Sequence, residues 1–170
     1  SVQCEVPLAA VLAAARAAPR LVLNPSPPEA LTGPDTAEIL AHADPLVVNQ
    51  HEMRALLGGA PKASPEELLR LGVRSAVVTL GAEGAAVVMP GGRTAWLPAV
   101  PVKVVDTTGA GDAFTGALAW RLAEGDDLVA AVRWAVRAGA AAVEESGAQL
   151  SSTACGKLLA VPEGECGEPA

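Results

Sequence analysis

Two rhythms of apolar residues alternate along this chain. Leu8, Val11, Leu12 and Ala15 recur three and four positions apart, which predicts an amphipathic helix entered through Pro7. Short unbroken apolar runs at 21–23 and 46–48 read as buried strands, and residues 1–6 as the tail of another. Between them, Asn24-Pro25-Ser26-Pro27-Pro28 can continue neither helix nor central strand. Asp35 is placed to cap a short helix running to 41. From 75 onward the rhythm changes. Runs at 75–80, 85–89 and 93–97, separated by Gly81-Ala82-Glu83-Gly84 and Pro90-Gly91-Gly92, predict an antiparallel meander. A β-branched run at 102–105 reads as a further buried strand. It gives way to a polar, glycine-rich turn, and then Ala113, Phe114, Ala117, Leu118 and Leu122 fall at helical spacing. Gly125-Asp126-Asp127 breaks and re-caps the chain before a second helix, 128–145, with Gly139 inside it.

Strands alternating with helices predict an α/β fold, a mainly parallel sheet covered by helices on both faces with the meander added to it. Composition agrees. Apolar residues make up 51% of the 170 positions but aromatics only 2%, so the core must be built from Ala, Val and Leu, as in helix-covered parallel sheets. The net charge of −7, without a basic cluster, argues against nucleic acid and anionic membrane as partners. Arg16 and Arg20 interrupt the alanine-rich first helix, and no apolar run is long enough to span a bilayer. Cys4, Cys155 and Cys166 are odd in number and far apart. They read as free thiols in a reducing cytoplasm rather than as a metal site.

The chemistry concentrates at Asp106-Thr107-Thr108-Gly109-Ala110-Gly111-Asp112. A glycine turn that opens a helix is an anion site, because the first helical N–H groups lack partners and the helix dipole adds positive charge there. Gly109, Ala110 and Gly111 let a phosphate approach closely. Asp112 would repel that anion unless a proton transfer needs it, and one task fits: taking the proton of a hydroxyl that attacks a bound phosphoryl group. Two other readings fit the turn taken alone, a helix-capping turn with structural aspartates and a methyltransferase loop for S-adenosylmethionine. A Walker A loop is excluded, since no Lys-Ser/Thr pair follows the glycines. Asn49-Gln50-His51-Glu52 has the spacing of a capping box at a strand-to-helix turn, as does Ser64-Pro65-Glu66-Glu67. Thr79-Leu80-Gly81-Ala82-Glu83-Gly84 reads by itself as a hairpin turn.

Taken together, Asp106 to Phe114, Asn49-x-x-Glu52, Thr79-Leu80-Gly81-x-x-Gly84 and Asn24-Pro25-Ser26-Pro27 resemble the ribokinase-like (PfkB) carbohydrate kinases, with ribokinases the nearest members. The resemblance implies a three-layer α/β/α fold and ATP-dependent phosphorylation of a sugar hydroxyl, first of all the 5-OH of D-ribose. Fructokinase, adenosine kinase, ketodeoxygluconate kinase and a non-catalytic nucleotide-binding fragment are the alternatives. It implies Asp112 as base and substrate contact, with Gly109, Ala110 and Gly111 forming the anion hole. Asn49, Thr79, Leu80, Gly81, Ala82, Glu83, Gly84, Gly111, Asp112 and Val136 would hold the nucleotide. Glu52 would serve Mg²⁺ through water. Asp106, Thr108, Ala142, Glu145, Gly147 and Ser151 would hold K⁺. Val136 stands where ribokinases can have Asn, and Leu150 where Pro is frequent. Members of the family are much longer. Residues 1–152 are therefore expected to be the C-terminal nucleotide-binding and catalytic part, with the sugar signature and β lid outside this chain. The full-length form is expected to be a cytoplasmic homodimer. Gly156, Pro162, Gly164, Gly167 and Pro169 predict a flexible tail over 153–170.

Overall fold

The computed structural model describes residues 1–144, 146 and 147. Residues 21–49 and 76–97 supply most of one six-stranded sheet whose strands lie in chain order. The strands are β1 (Val2–Gln3), β2 (Leu21–Asn24), β3 (Ala43–Asn49), β4 (Ala76–Thr79), β5 (Ala85–Val88) and β6 (Thr94–Leu97). β1 to β4 pair in parallel, and β4 to β6 pair antiparallel. The expected sheet with its meander is therefore present.

Alternation along the strands divides the core in two. Leu23, Leu46, Val48, Ala76, Val78, Ala86 and Val88 face one way. They pack against α1 (Leu8–Ala17), α2 (Thr36–His42), α3 (Gln50–Leu56) and a 3-10 segment, Pro65–Leu71. Val22, Val47, Val77, Ala85, Val87 and Leu97 face the other way, against α4 (Ala110–Ala123) and α5 (Leu128–Val143). Small side chains at Ala131 and Ala135 of α5 let the helix lie close to the strands. The Asp127 side chain caps α5 by accepting the Ala130 N–H at 2.9 Å. Cys4 is a buried free thiol, and burial raises its pKa. Cys155, Cys166 and the expected tail at 153–170 lie outside the described residues.

Three local expectations change. The run at 102–105 is not a strand, and Val104 and Val105 are 60% and 59% exposed. Strand propensity measures fit to a pleated, half-buried surface. After Leu97 the chain leaves the sheet, and Pro98 and Pro101 can donate no ladder bond. The Val105 and Asp106 N–H groups instead donate to the Val143 carbonyl at the end of α5, at 2.7 and 3.2 Å. Asp35 stands at the start of α2 with no capping bond from its side chain. Its own φ and ψ of −77° and −15° are already helical, whereas a cap needs extended dihedrals to reach forward. The segment opened by Ser64 winds as a 3-10 helix rather than an α-helix, with the Glu67 carboxylate accepting the Ser64 N–H at 3.1 Å.

Gly84, at the entry to β5, has φ +98°, and a Cβ there would lie 2.0 Å from the Leu97 carbonyl oxygen and 2.6 Å from the Ala99 nitrogen. Gly91 also has a positive φ, of +87°, but open space around it. Gly84→Ala therefore adds a backbone clash to the conformational penalty. We expect it to destabilise the fold by about 3 kcal/mol or more, against about 1 kcal/mol for Gly91→Ala. Urea unfolding of the two variants checks this, and equal losses would contradict the close approach.

Candidate active site

The turn before α4 is built by two devices. The Asp106 carboxylate accepts the Thr108 N–H at 2.9 Å, closing a tight local turn. Gly109 then takes a left-handed φ of +76° and hands the chain to the helix, a conformation only glycine adopts without strain. The Ala110 N–H donates to the Thr107 carbonyl at 3.3 Å. The N–H groups of Gly111 and Asp112 find no acceptor among the described residues. Left-handed and right-handed residues in succession make successive amides converge, a concave anion nest reinforced by the helix dipole.

Asp106 also reaches across the molecule, accepting the Gly147 N–H at 3.1 Å. The Thr108 donors, and then Gly147, hold its carboxyl below the usual carboxylate range. Thr108 and Gly147 thus meet at Asp106, and Ala142 lies one residue before the Val143 carbonyl that binds Val105 and Asp106. These groups offer oxygen donors only, which fits a hard monovalent cation. Glu145 and Ser151, also expected there, lie outside the described residues.

A cavity of about 430 Å³ opens beside this turn. Its walls come from three places: Thr79, Gly81, Ala82 and Gly84 at the β4–β5 turn, residues 99–102 and Val104 after β6, and Ala110, Gly111, Val136 and Gly139 of the paired helices. The lining is mostly apolar, and a side-chain carbon at position 139 of α5 would find room at ordinary contact distance, 3.5 to 3.9 Å, from Ala110 and Phe114 of α4. Of the residues expected to touch nucleotide, Thr79, Gly81, Ala82, Gly84, Gly111 and Val136 line this cavity. Leu80 packs against the core on the far face of the sheet, its N–H donating to the Gly84 carbonyl at 2.8 Å, and Glu83 is exposed. The wall from Ala99 to Val102 and the contributions of Ala140 and Val143 carried no sequence signal for a site. Only the path of the chain after β6 brings them here.

Asn49 and Glu52 form the capping box that the spacing predicts. The Asn49 side chain accepts the Glu52 N–H and the Glu52 carboxylate accepts the Asn49 N–H, both at 2.9 Å. Asn49 pairs in register with Thr79, so the box stands one strand away from the cavity wall. Among the described residues no group of three His, Cys, Asp or Glu side chains could cage a metal. Glu52 is a single buried carboxylate, and one carboxylate is enough for Mg²⁺, which keeps most of its own waters. No helix among the described residues is long and apolar enough to cross a membrane.

Asp112 lies in the first turn of α4, exposed, on the flank away from the cavity. There its Oδ1 accepts the side-chain N–H of Gln3, at the end of β1, at 2.7 Å. The site therefore has two sides, an apolar cavity and a carboxylate, with the unpartnered amides between them.

Known proteins share this arrangement of elements. The pfkB family carbohydrate kinase profile matches residues 1–155. Ribokinase of Bacillus subtilis is 39% identical over 129 residues, covering 76% of this chain and 41% of that protein. Ribokinase of Schizosaccharomyces pombe is 35% identical over 162 residues, covering 88% and 50%. The crystal structure of Thermotoga maritima ribokinase superposes with a TM-score of 0.80 at 30% identity, covering 92% of this chain and 55% of that one. Arabidopsis thaliana ribokinase, complexed with ribose and ATP, gives 0.76 at 28% identity, covering 94% and 55%. The chain thus spans about half the length of the relatives it matches. With the profile matched over residues 1–155 and the fold shared with ribokinase structures, the chain belongs to the pfkB family of carbohydrate kinases.

Proposed function

We propose that the whole protein transfers the γ-phosphoryl group of ATP to a sugar hydroxyl, the 5-OH of D-ribose. One observation carries the reading. A single turn of α4 presents a carboxylate and amide donors that find no acceptor among the described residues, with the cavity on one flank and the carboxylate facing the other. The cavity takes the nucleotide. Val102, Val136 and Ala140 suit the flat face of an adenine, and Val136 offers it apolar contact alone. The phosphates then reach the amides of Gly111 and Asp112, with Gly109 and Ala110 shaping the hole. Charge developing on the transferring group is stabilised by donors already in position. The acceptor hydroxyl approaches from the Gln3 side. Asp112 takes its proton as the new oxygen–phosphorus bond forms, while the bond to the β-phosphate oxygen breaks and ADP leaves with the electron pair.

Mg²⁺, when bound, neutralises phosphate charge. Glu52 is the residue that would serve it, through water, with Asn49 toward the nucleotide phosphates, and Asp106, Thr108, Ala142 and Gly147 would hold K⁺. A cation under the turn would hold the shape of the anion hole. The ribose assignment rests on the ribokinase relatives. A panel of ribose, fructose, adenosine and ketodeoxygluconate on the whole protein tests it, and faster turnover of any other acceptor would reassign the substrate.

Three outcomes follow for the whole protein. Asp112→Asn should lower kcat by about 10²- to 10⁴-fold while calorimetry still shows ATP binding, and near-normal turnover would remove Asp112 from the role of base. Glu52→Gln keeps an oxygen acceptor for the Asn49 N–H, so melting temperature should hold while the Mg²⁺ concentration for half-maximal activity rises. An unchanged Mg²⁺ requirement would leave Glu52 as a cap alone. Val136→Trp should fill the cavity and abolish ATP binding in the same calorimetric titration, with the fold intact by circular dichroism.

A further inference from the structure

Gln3 and Asp112 are 109 positions apart in the chain, yet the Gln3 Nε2 lies 2.7 Å from the Asp112 Oδ1. Resting on the assignment of Asp112 as base, we infer that Gln3 is a positioning residue: its amide aims the Asp112 carboxylate at the acceptor hydroxyl.

Three features support this. First, the bond is directional. A carboxylate accepts and an amide N–H₂ donates, so only the nitrogen side of the Gln3 amide can face Asp112 favourably. With Oδ1 held, Oδ2 is the oxygen left to take a proton. Second, the donor stands on the sheet rather than on a loop. Gln3 pairs in parallel register with Asn24 of β2, whose own side chain is tied to the Val47 carbonyl at 2.9 Å. The next residue, Cys4, is buried, which anchors the chain just beyond the amide. Third, Asp112 is exposed on the first turn of its helix, and among the described residues Gln3 is the side chain that donates to it. A short exposed side chain with one fixed oxygen loses the rotamer freedom that would otherwise dilute the reactive geometry.

The competing role is a surface stitch between β1 and α4, which would affect folding and nothing else. Steady-state kinetics of the whole protein with ATP and D-ribose separate the two, using Gln3→Met, which deletes the donor at similar size, and Gln3→Glu, which replaces it with a carboxylate. We expect Gln3→Met to lower kcat about tenfold with KM for ATP unchanged and melting temperature near that of the parent protein. Gln3→Glu should fall further at neutral pH, because two carboxylates then face each other. A stitch predicts a lowered melting temperature with kcat unchanged in both variants.

Parent-level kcat in both variants overturns the inference. If Asp112→Asn is inactive while both Gln3 variants turn over normally, the base stands and the positioning role alone is lost. If Asp112→Asn turns over normally, the base assignment fails and the positioning role falls with it.

Discussion

A helix that begins at a sheet edge with its first amides unpaired must be held in place by something other than its own hydrogen bonds. Here that constraint governs the region after β6. Gly109 turns the chain into α4 through a left-handed conformation, leaving the Gly111 and Asp112 N–H groups open among the described residues. Such donors attract an anion only while they stay unfilled and fixed. They are fixed from behind by the Val105 and Asp106 bonds to Val143, from the side by Asp106 on Gly147, and from within by the packing of α4 and α5 in one core. None of these contacts has much energy alone, but together they leave the turn little freedom.

The same packing divides the site. α4 and α5 cover one face of the sheet and meet the β4–β5 turn beyond its edge, which encloses the apolar cavity. On the other flank α4 meets the end of β1 through Asp112 and Gln3. The apolar cavity and the Asp112 carboxylate are thereby kept apart by one helical turn. Gly84 belongs to this logic as well. Its missing side chain lets the strand entry touch the backbone of residues 97–99, and that backbone continues into the cavity wall.

Much of this was legible before any coordinates. Apolar runs at 21–23, 46–48 and 75–80 have one periodicity and one burial outcome, so sheet and helix layers followed from them. The capping box at Asn49 and Glu52 is a contact between residues three apart, and local spacing is enough to specify it. The glycine turn was legible for the same reason. The reading failed in two ways. Residues 102–105 have strand composition but run outside the sheet, and the Val105 N–H goes to the distant Val143 carbonyl. Asp35 has a capping side chain on a backbone already helical.

Local sequence, then, determined the α/β class, the meander, the anion turn and the family, because each depends on residues a few positions apart whose sterics and hydrogen bonding are set by their own chemistry. Only tertiary structure decided that the chain after β6 walls a cavity, that Asp106 joins two loops, and that Gln3 meets Asp112. Those contacts join segments whose separation along the chain imposes no spacing rule, so only the packing of both faces of the sheet could bring them together.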